Sequence, residues 1–389
     1  MKMLFITDKF PPVEGGSRIY YYNLCVNYPH EEVVVFTKKV DGYKDFDKKQ
    51  KMKIIRKGIP LSNWKYYQVP RMFLTFLWTI YLVYKESIDV IHCGDFMPAG
   101  IIGYLAKKFF NKPYVYYVHE GDYWYFDRFR FKPKLRRLVL GNADQIVAAC
   151  TNAEVGVKHS VDNCSDKITI ITPGVDYKRF TPGEKNPDLV HEFNLEQKKV
   201  ILTVGRLVDG RKGHEMIIRA LPSILEEVPN AVYLIAGRGP YEDFLKELVH
   251  ELNLDTHVRF AGYVPNDLLP NIYGISDVFA MISRETPEMG TEGFGMVFTE
   301  ANAAGKPVVG GKCGGTEDSI IDGVTGYRVD PSNVDEVISR IIKLLKDDVF
   351  RESMGATARK WVEETSDWVD KAKQIEQVNH KIALNYATH

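Results

Sequence analysis

Both halves of this chain alternate short β-branched runs with segments of helical periodicity. Little fits that alternation besides parallel sheets covered by helices on both faces. The first half offers strands at 3–7, 32–37, 53–56, 90–92, 114–118, 145–148 and 168–172. The second offers 199–204, 232–236, 258–261, 278–282, 307–310 and 326–329. Helical patterns fall between them, for example at 18–28, 74–85, 215–227, 241–252 and 334–346. A length of 389 residues suits two domains at roughly 150 residues each. The turn-rich stretch 173–198, with Thr-Pro-Gly-Val-Asp and Thr-Pro-Gly-Glu-Lys-Asn-Pro, marks the boundary. In open α/β sheets of this kind ligands bind at the carboxyl ends of the strands, so a ligand is expected between the domains.

The five cysteines are scattered, with no Cys-x-x-Cys pair. That spacing argues against a zinc site or a disulfide framework and fits a reducing compartment. The longest apolar run, 72–84, falls well short of the ~20 residues that span a bilayer and reads as a buried or interfacial helix. Charge is uneven although the net is zero. Residues 1–180 carry 28 Lys and Arg against 18 Asp and Glu, and the remainder 23 against 33. The basic residues cluster at 48–57 and 128–137, the second cluster interleaved with aromatics. Such a surface suits an anionic membrane or acceptor better than nucleic acid, for which no binding motif is present.

Several strand ends carry chemistry. Glu292-Gly293-Phe294-Gly295 leads into a run that ends in Glu300. Glu292 is expected at the mouth of a helix and Glu300 two turns in, about 12 Å apart at a rise of ~1.5 Å per residue. That separation excludes the paired carboxylates of a glycosidase, which need roughly 5–9.5 Å. It suits holding two ends of one long ligand, and a carboxylate accepts neighbouring hydroxyls well. Gly205-Arg206-Leu207-Val208-Asp209-Gly210-Arg211-Lys212-Gly213 follows a strand with three cations and three glycines, a composition suited to a diphosphate. Gly237-Arg238-Gly239 and Gly262-Tyr263-Val264 are strand-end loops that could line a nucleotide base. In the first half, Gly15-Gly16 opens a helix after the first strand, and His119 ends the strand 114–118. The Gly15 and Gly16 amides would face an anion. Asp45-Phe46-Asp47 has the spacing of a metal-holding D-x-D, but it lies in a lysine-rich loop with no strand before it. No metal site and no cofactor is expected.

Taken in order, these motifs resemble the retaining glycosyltransferases of the GT-B fold, family 4, over nearly the whole chain. Within the family they look most like the phosphatidylinositol mannoside mannosyltransferases. The resemblance rests on Gly205–Val208, Arg211-Lys212-Gly213, the Glu292–Glu300 motif and Gly314-Gly315. In the first half it rests on Gly15-Gly16, His119, and Pro173-Gly-Val-Asp176 with Phe180. It implies two Rossmann-like domains facing across a cleft: 1–183 on the acceptor side, and 196–365 binding a nucleotide sugar. A C-terminal helix, 366–389, would pack back on the first domain. It implies that Arg206 and Lys212 neutralise the donor diphosphate, with Gly16 adding an amide, and that Glu300 holds the ribose. Glu292 and the amides of Phe294 and Gly295 would hold the transferred sugar, and His119 would contact it near the reacting carbon. Tyr263 and Val264, with Gly237, would border the base. The family places its Lys five residues after the Arg. Here Arg211 stands at that spacing and Lys212 one further, so either could be the second phosphate ligand, with Gly213 favouring Lys212.

The implied reaction moves a hexose of mannose or glucose type from a GDP- or UDP-sugar to a hydroxyl of a lipid or cell-envelope glycan. It proceeds without a metal and by attack on the face the diphosphate leaves. The aromatic-rich segments 71–85 and 123–131 suggest an acceptor at a membrane surface. The enzyme is then expected in the cytoplasm with peripheral contact to the membrane's inner face. A nucleotide-sugar epimerase of the same fold, a phosphorylase-like enzyme bearing pyridoxal on a lysine, and a non-catalytic nucleotide-sugar or glycan-binding protein are the alternatives.

Overall fold

A computed structural model describes residues 1–13, 15–59, 69–119, 132–286 and 290–387. The aromatic segment 123–131 and residues 287–289 lie outside the described residues. Two compact units form. Unit 1 comprises Met1–Pro173 with Trp368–His389, and unit 2 comprises Gly174–Asp367. The division falls at 173/174 rather than at 183, because Val175, Phe180 and Leu195 are buried in the core of unit 2. Arg359 of that unit also donates to the carbonyls of Tyr177 and Phe180 at 2.6 Å each.

The strands of unit 1 are β1 (Met3–Thr7), β2 (Val33–Lys38), β3 (Lys53–Lys57), β4 (Val90–Cys93), β5 (Tyr114–Val118), β6 (Gln145–Ala148) and β7 (Ile168–Ile170). They form one parallel sheet in the order β3-β2-β1-β4-β5-β6-β7. β1, β4 and β5 are buried along their whole length, as near-continuous apolar runs must be when both faces are covered. Unit 2 contributes β8 (Lys199–Val204), β9 (Ala231–Ala236), β10 (Val258–Gly262), β11 (Val278–Met281), β12 (Val308–Gly311) and β13 (Gly326–Val329). Their order is β10-β9-β8-β11-β12-β13. β12 begins one residue later than the sequence suggests, since Pro307 has no N–H to give a ladder.

Both sheets reverse direction once, at β1/β4 and at β8/β11. On either side of such a reversal the connecting helices leave to opposite faces, which opens a crevice at the carboxyl ends of the two strands. In unit 1 the loops after β1 and β4 meet there, the Asp8 amide donating to Asp95 at 3.0 Å. In unit 2 the loops after β8 and β11 meet, the Arg284 amide donating to the Arg211 carbonyl at 2.9 Å.

The helices that matter below are α1 (Gly16–Asn27), α2 (Val69–Lys85), α3 (Ile101–Phe110), α4 (His214–Glu227), α5 (Leu269–Gly274), α6 (Met296–Ala303) and α7 (Trp368–Ala387). α7 packs on α1, burying Trp368, Ile375, Val378 and Ile382 in the aromatic core of unit 1 beside Tyr20, Tyr21 and Tyr28. A buried polar chain ties it down. His92 Nε2 donates to Asn379 Oδ1 at 2.9 Å, and Asn379 Nδ2 donates to the Tyr28 hydroxyl at 3.1 Å. His92 Nδ1 lies 2.9 Å from the Tyr117 hydroxyl. Burial pushes the His92 imidazole down to about 4, with the Asn379 bond opposing that, so the ring is neutral and can accept from Tyr117. Asn379→Leu strands His92 and Tyr28 in an apolar core. It should lower the stability of unit 1 by about 1–3 kcal/mol in urea unfolding; an unchanged midpoint would show that the chain of hydrogen bonds carries no stability.

Candidate functional site

The loops after β8 and β9 lie one on the other. Gly205 N donates to the Ala236 carbonyl at 2.9 Å, and Leu207 N to the Arg238 carbonyl at 3.0 Å. Gly237 has φ +158°, and a Cβ there would stand 1.8 Å from the Gly205 carbonyl oxygen, so no larger residue fits. Leu207 is buried and anchors the loop. Arg206 beside it is exposed, and among the described residues its guanidinium has no ion pair. Arg238, also exposed, occupies the corresponding place after β9. The sequence pattern placed Arg238 in a loop that could line a nucleotide base and gave its cation no separate role. Gly237 N then donates to the Gly262 carbonyl at 2.8 Å, which sets the β10 loop alongside. There Tyr263 is exposed and Val264 half-buried against the core.

Past Leu207 the chain makes a 3-10 turn, Gly210–Lys212, capped by the Asp209 carboxylate accepting from the Arg211 amide at 2.8 Å. Gly213, at φ +69°, passes so close to the Ile282 carbonyl that a Cβ would sit 2.1 Å from it. This turn sends its two cations to different partners. Lys212 Nζ lies 2.5 Å from Glu292 Oε2. Arg211 Nη1 donates to the Thr291 carbonyl at 3.3 Å. Beneath them Arg284 and Glu215 form an ion pair.

Glu292 is not at a helix mouth. α6 begins at Met296, and its N-cap Gly295 adopts φ +81°, a left-handed turn that holds residues 292–294 outside the helix. The separation along a helical rise therefore does not apply. The Glu292 carbonyl accepts from the Gly315 amide at 2.9 Å. Burial pushes its carboxyl up, but Lys212, Arg211 and Ser283 outweigh that and hold it below the ordinary range. It is therefore ionised at neutral pH. The Ser283 hydroxyl is 3.4 Å away. Gly293 has open space at its Cα, and Phe294 is buried.

Glu300 lies in the second turn of α6, half-buried, and accepts from the Tyr273 hydroxyl of α5 at 2.8 Å. Burial pushes its carboxyl up to about 7, against the opposing pull of Tyr273 and Arg179. The two glutamates thus have different partners, and their carboxyls are shifted in opposite directions. Sequence reading missed Tyr273, 27 residues upstream, because no local signal links it to Glu300.

In unit 1, Gly15 has φ +150° and precedes α1, whose first turn has no side-chain cap among the described residues. The Gly16 amide is thus the first of the helix's unclosed donors. His119 follows β5 and stands edge-on to Tyr20, its Nε2 2.8 Å from the Tyr21 hydroxyl. That hydroxyl donates its one proton to the Gly94 carbonyl. His119 must therefore be the donor to Tyr21, with its proton on Nε2. Asp47 of the D-x-D spacing is bound to Arg56 at 2.9 Å. Among the described residues no three His, Cys, Asp or Glu side chains gather as metal ligands.

Both halves match glycosyltransferase families. Residues 14–179 match "Glycosyltransferase Family 4", and residues 187–361 match "Glycosyl transferases group 1". The chain belongs to this family: it is a glycosyltransferase of the GT-B, group 1 type. It is 29% identical over 382 residues, 97% of each chain, to a GDP-mannose-dependent alpha-(1-6)-phosphatidylinositol monomannoside mannosyltransferase of Mycolicibacterium smegmatis. It is 31% identical to a D-inositol 3-phosphate glycosyltransferase of Corynebacterium urealyticum, over 74% of this chain and 70% of that one. The fold matches Anabaena HepE in complex with UDP at a TM-score of 0.82 and 19% identity, covering 98% of this chain and 100% of that one.

Removing the Tyr273 hydroxyl removes a bond that favours the ionised Glu300. Tyr273→Phe should therefore move the Glu300 titration, followed by carbon-13 NMR of the carboxyl, from about 7 to higher pH. A shift to lower pH would contradict the assignment.

Proposed function

We propose that this glycosyltransferase moves a hexose from a nucleotide-diphosphate sugar to a hydroxyl of a lipid or cell-envelope glycan, with retention at the anomeric carbon and without a metal. The observation that carries the reading is the Lys212–Glu292 pair, made from the same loop after β8 that carries the exposed Arg206. A cationic loop for a diphosphate thus reaches, through Lys212, an ionised carboxylate for sugar hydroxyls, as such a donor requires. Of the two adjacent cations Lys212 is the second phosphate ligand, since it already stands next to the sugar-binding carboxylate. Arg211 holds backbone instead. Glu300 takes the ribose, and Tyr263 and Val264 with Gly237 border the base. The Phe294 and Gly295 amides take sugar hydroxyls. The same reading gives the Gly16 amide, with Gly15, a phosphate role and His119 a sugar-facing one. The GDP-mannose dependence in the name of the mycobacterial relative favours GDP and mannose over UDP and glucose.

The bond-breaking step leaves negative charge on the diphosphate. Preorganised cations stabilise that charge without reorganising at the moment of reaction. Glu292 is engaged by Lys212 and serves as an anchor, not as a nucleophile. The acceptor hydroxyl then attacks from the face the diphosphate leaves and passes its proton to a diphosphate oxygen. A lipid acceptor, suggested by the phosphatidylinositol monomannoside in the relative's name, implies a cytoplasmic enzyme that meets the inner membrane face peripherally. Among the described residues no helix is long and apolar enough to cross a membrane.

Arg206→Ala should lower kcat by roughly 10²–10³ in a transfer assay, with the fold intact by circular dichroism. Unchanged turnover would remove Arg206 from the leaving-group role. Transfer should also persist in EDTA. Loss in EDTA that Mg²⁺ or Mn²⁺ restores would contradict the metal-free scheme.

A further inference from the structure

Under the Lys212 turn lies an ion pair that the proposed donor site leaves without a role. Glu215 stands in the first turn of α4 and is only 6% exposed. Its Oε1 accepts from Nη2 of Arg284, which follows β11. Its other oxygen is also buried and, among the described residues, has no hydrogen-bond partner. Burial pushes the carboxyl up, opposed by its own amide and by Arg284 and Arg219. The Arg284 guanidinium is thus the main side-chain support of its charge.

The pair touches the turn directly. A Cβ at Gly210 would stand 2.5 Å from Arg284 Nη2 and 2.9 Å from Glu215 Oε1, so the first residue of the turn rests on both groups. Arg284 also grips the turn by its backbone, its amide donating to the Arg211 carbonyl at 2.9 Å. From the same turn Arg211 reaches the Thr291 carbonyl, and Lys212 reaches Glu292. Thr286 and Gly290 exchange backbone bonds of 3.0 and 2.8 Å, which brings the chain leaving Arg284 back to Thr291. The segment that ends in Glu292 is therefore fixed to the turn at both of its ends.

We propose that the Glu215–Arg284 pair is a positioning device that sets the register of the Lys212 turn against the Glu292 segment. Both residues act through Lys212 and Glu292, so they are positioning residues. A buried ion pair is a poor source of stability, because desolvation offsets the attraction and a well-packed apolar pair is often as stable. What the charges add is one defined geometry at the joint between two loops. A carboxylate kept only for the positive end of α4 would need no partner after β11 and no glycine against it. The inference rests on the donor reading of Lys212 and Glu292 and adds what aligns them.

The test compares Glu215→Gln, Arg284→Met and Gly210→Ala, each alone and combined with Lys212→Ala. Hydrogen exchange read by mass spectrometry follows the two loops. Labelled mannose passed from GDP-mannose to membrane extract follows turnover. In each single variant residues 207–213 and 290–295 should exchange roughly ten-fold faster or more, with the rest of unit 2 and the circular dichroism unchanged. Turnover should fall by roughly 10–100-fold, the scale of a misplacement of about 1 Å, and Arg284→Lys should keep most of it. Gly210→Ala retains both charges and crowds only the tips of two side chains, so its loss cannot come from a missing charge. Combined with Lys212→Ala, the variants should cost little more, because their effect passes through Lys212. Two results would overturn the proposal: unchanged exchange of both loops in Glu215→Gln and Arg284→Met, or losses that multiply with that of Lys212→Ala. Full turnover by Lys212→Ala would remove the donor reading alone, since exchange depends on no donor and still decides the role of the pair.

Discussion

A half-buried ammonium 2.5 Å from a half-buried carboxylate joins the two loops on which the candidate site depends. Lys212 comes from the turn after β8, and Glu292 from the segment that leads into α6. Neither charge is stable there alone, since removing one partner leaves the other charged in a poorly solvated place. The pair holds Glu292 ionised and keeps it outside the helix, while Gly213 and Gly295 supply the left-handed backbone that brings both loops to the β8/β11 crevice. Arg206, on the same loop as Lys212, is left exposed. In the proposed function the arrangement serves as an anchor for hydroxyls and a receptor for charge.

Unit 1 is built by the same rules with different contents. Its sheet reverses at β1/β4, its crevice residues Asp8 and Asp95 are buried, and burial together with Asp8 holds the Asp95 carboxyl well above its ordinary range. Asp95 accepts from the Asp8 and Ala99 amides, so its work is to shape the crevice. The aromatic core beside it fixes His119 through Tyr20 and Tyr21. Helix α2 of this unit turns large apolar side chains outward. Charge follows the same division, with an excess of cations in the first 180 residues and of anions in the rest.

Much of this was legible in the chain. Strands such as Met3–Thr7 and Tyr114–Val118 are continuous apolar runs, and burial on both faces leaves that mark directly in sequence. Gly213 and Gly237 could be placed in strand-end loops, but what they touch could not. The links that make the site and tie down α7 are long-range: Lys212 to Glu292 spans 80 positions and Asn379 to His92 spans 287. No local pattern encodes such pairs, so only family resemblance brought Lys212 and Glu292 together in advance. The helix-mouth geometry of Glu292 failed for a physical reason. A glycine that looks like part of a helix start can take positive φ and cap the helix instead. The run 72–84 was legible as apolar. That its threonines face in and its aromatics face out was not, because period alone does not say which side the core lies on.

The most direct test is a crystal structure of the enzyme with an intact or non-hydrolysable nucleotide sugar. The account predicts the diphosphate within hydrogen-bonding distance of Arg206 and Lys212, the sugar hydroxyls on Glu292, and the ribose on Glu300. A donor bound with its phosphates away from Arg206 and Lys212, or with Glu292 and Glu300 exchanged in role, would contradict it.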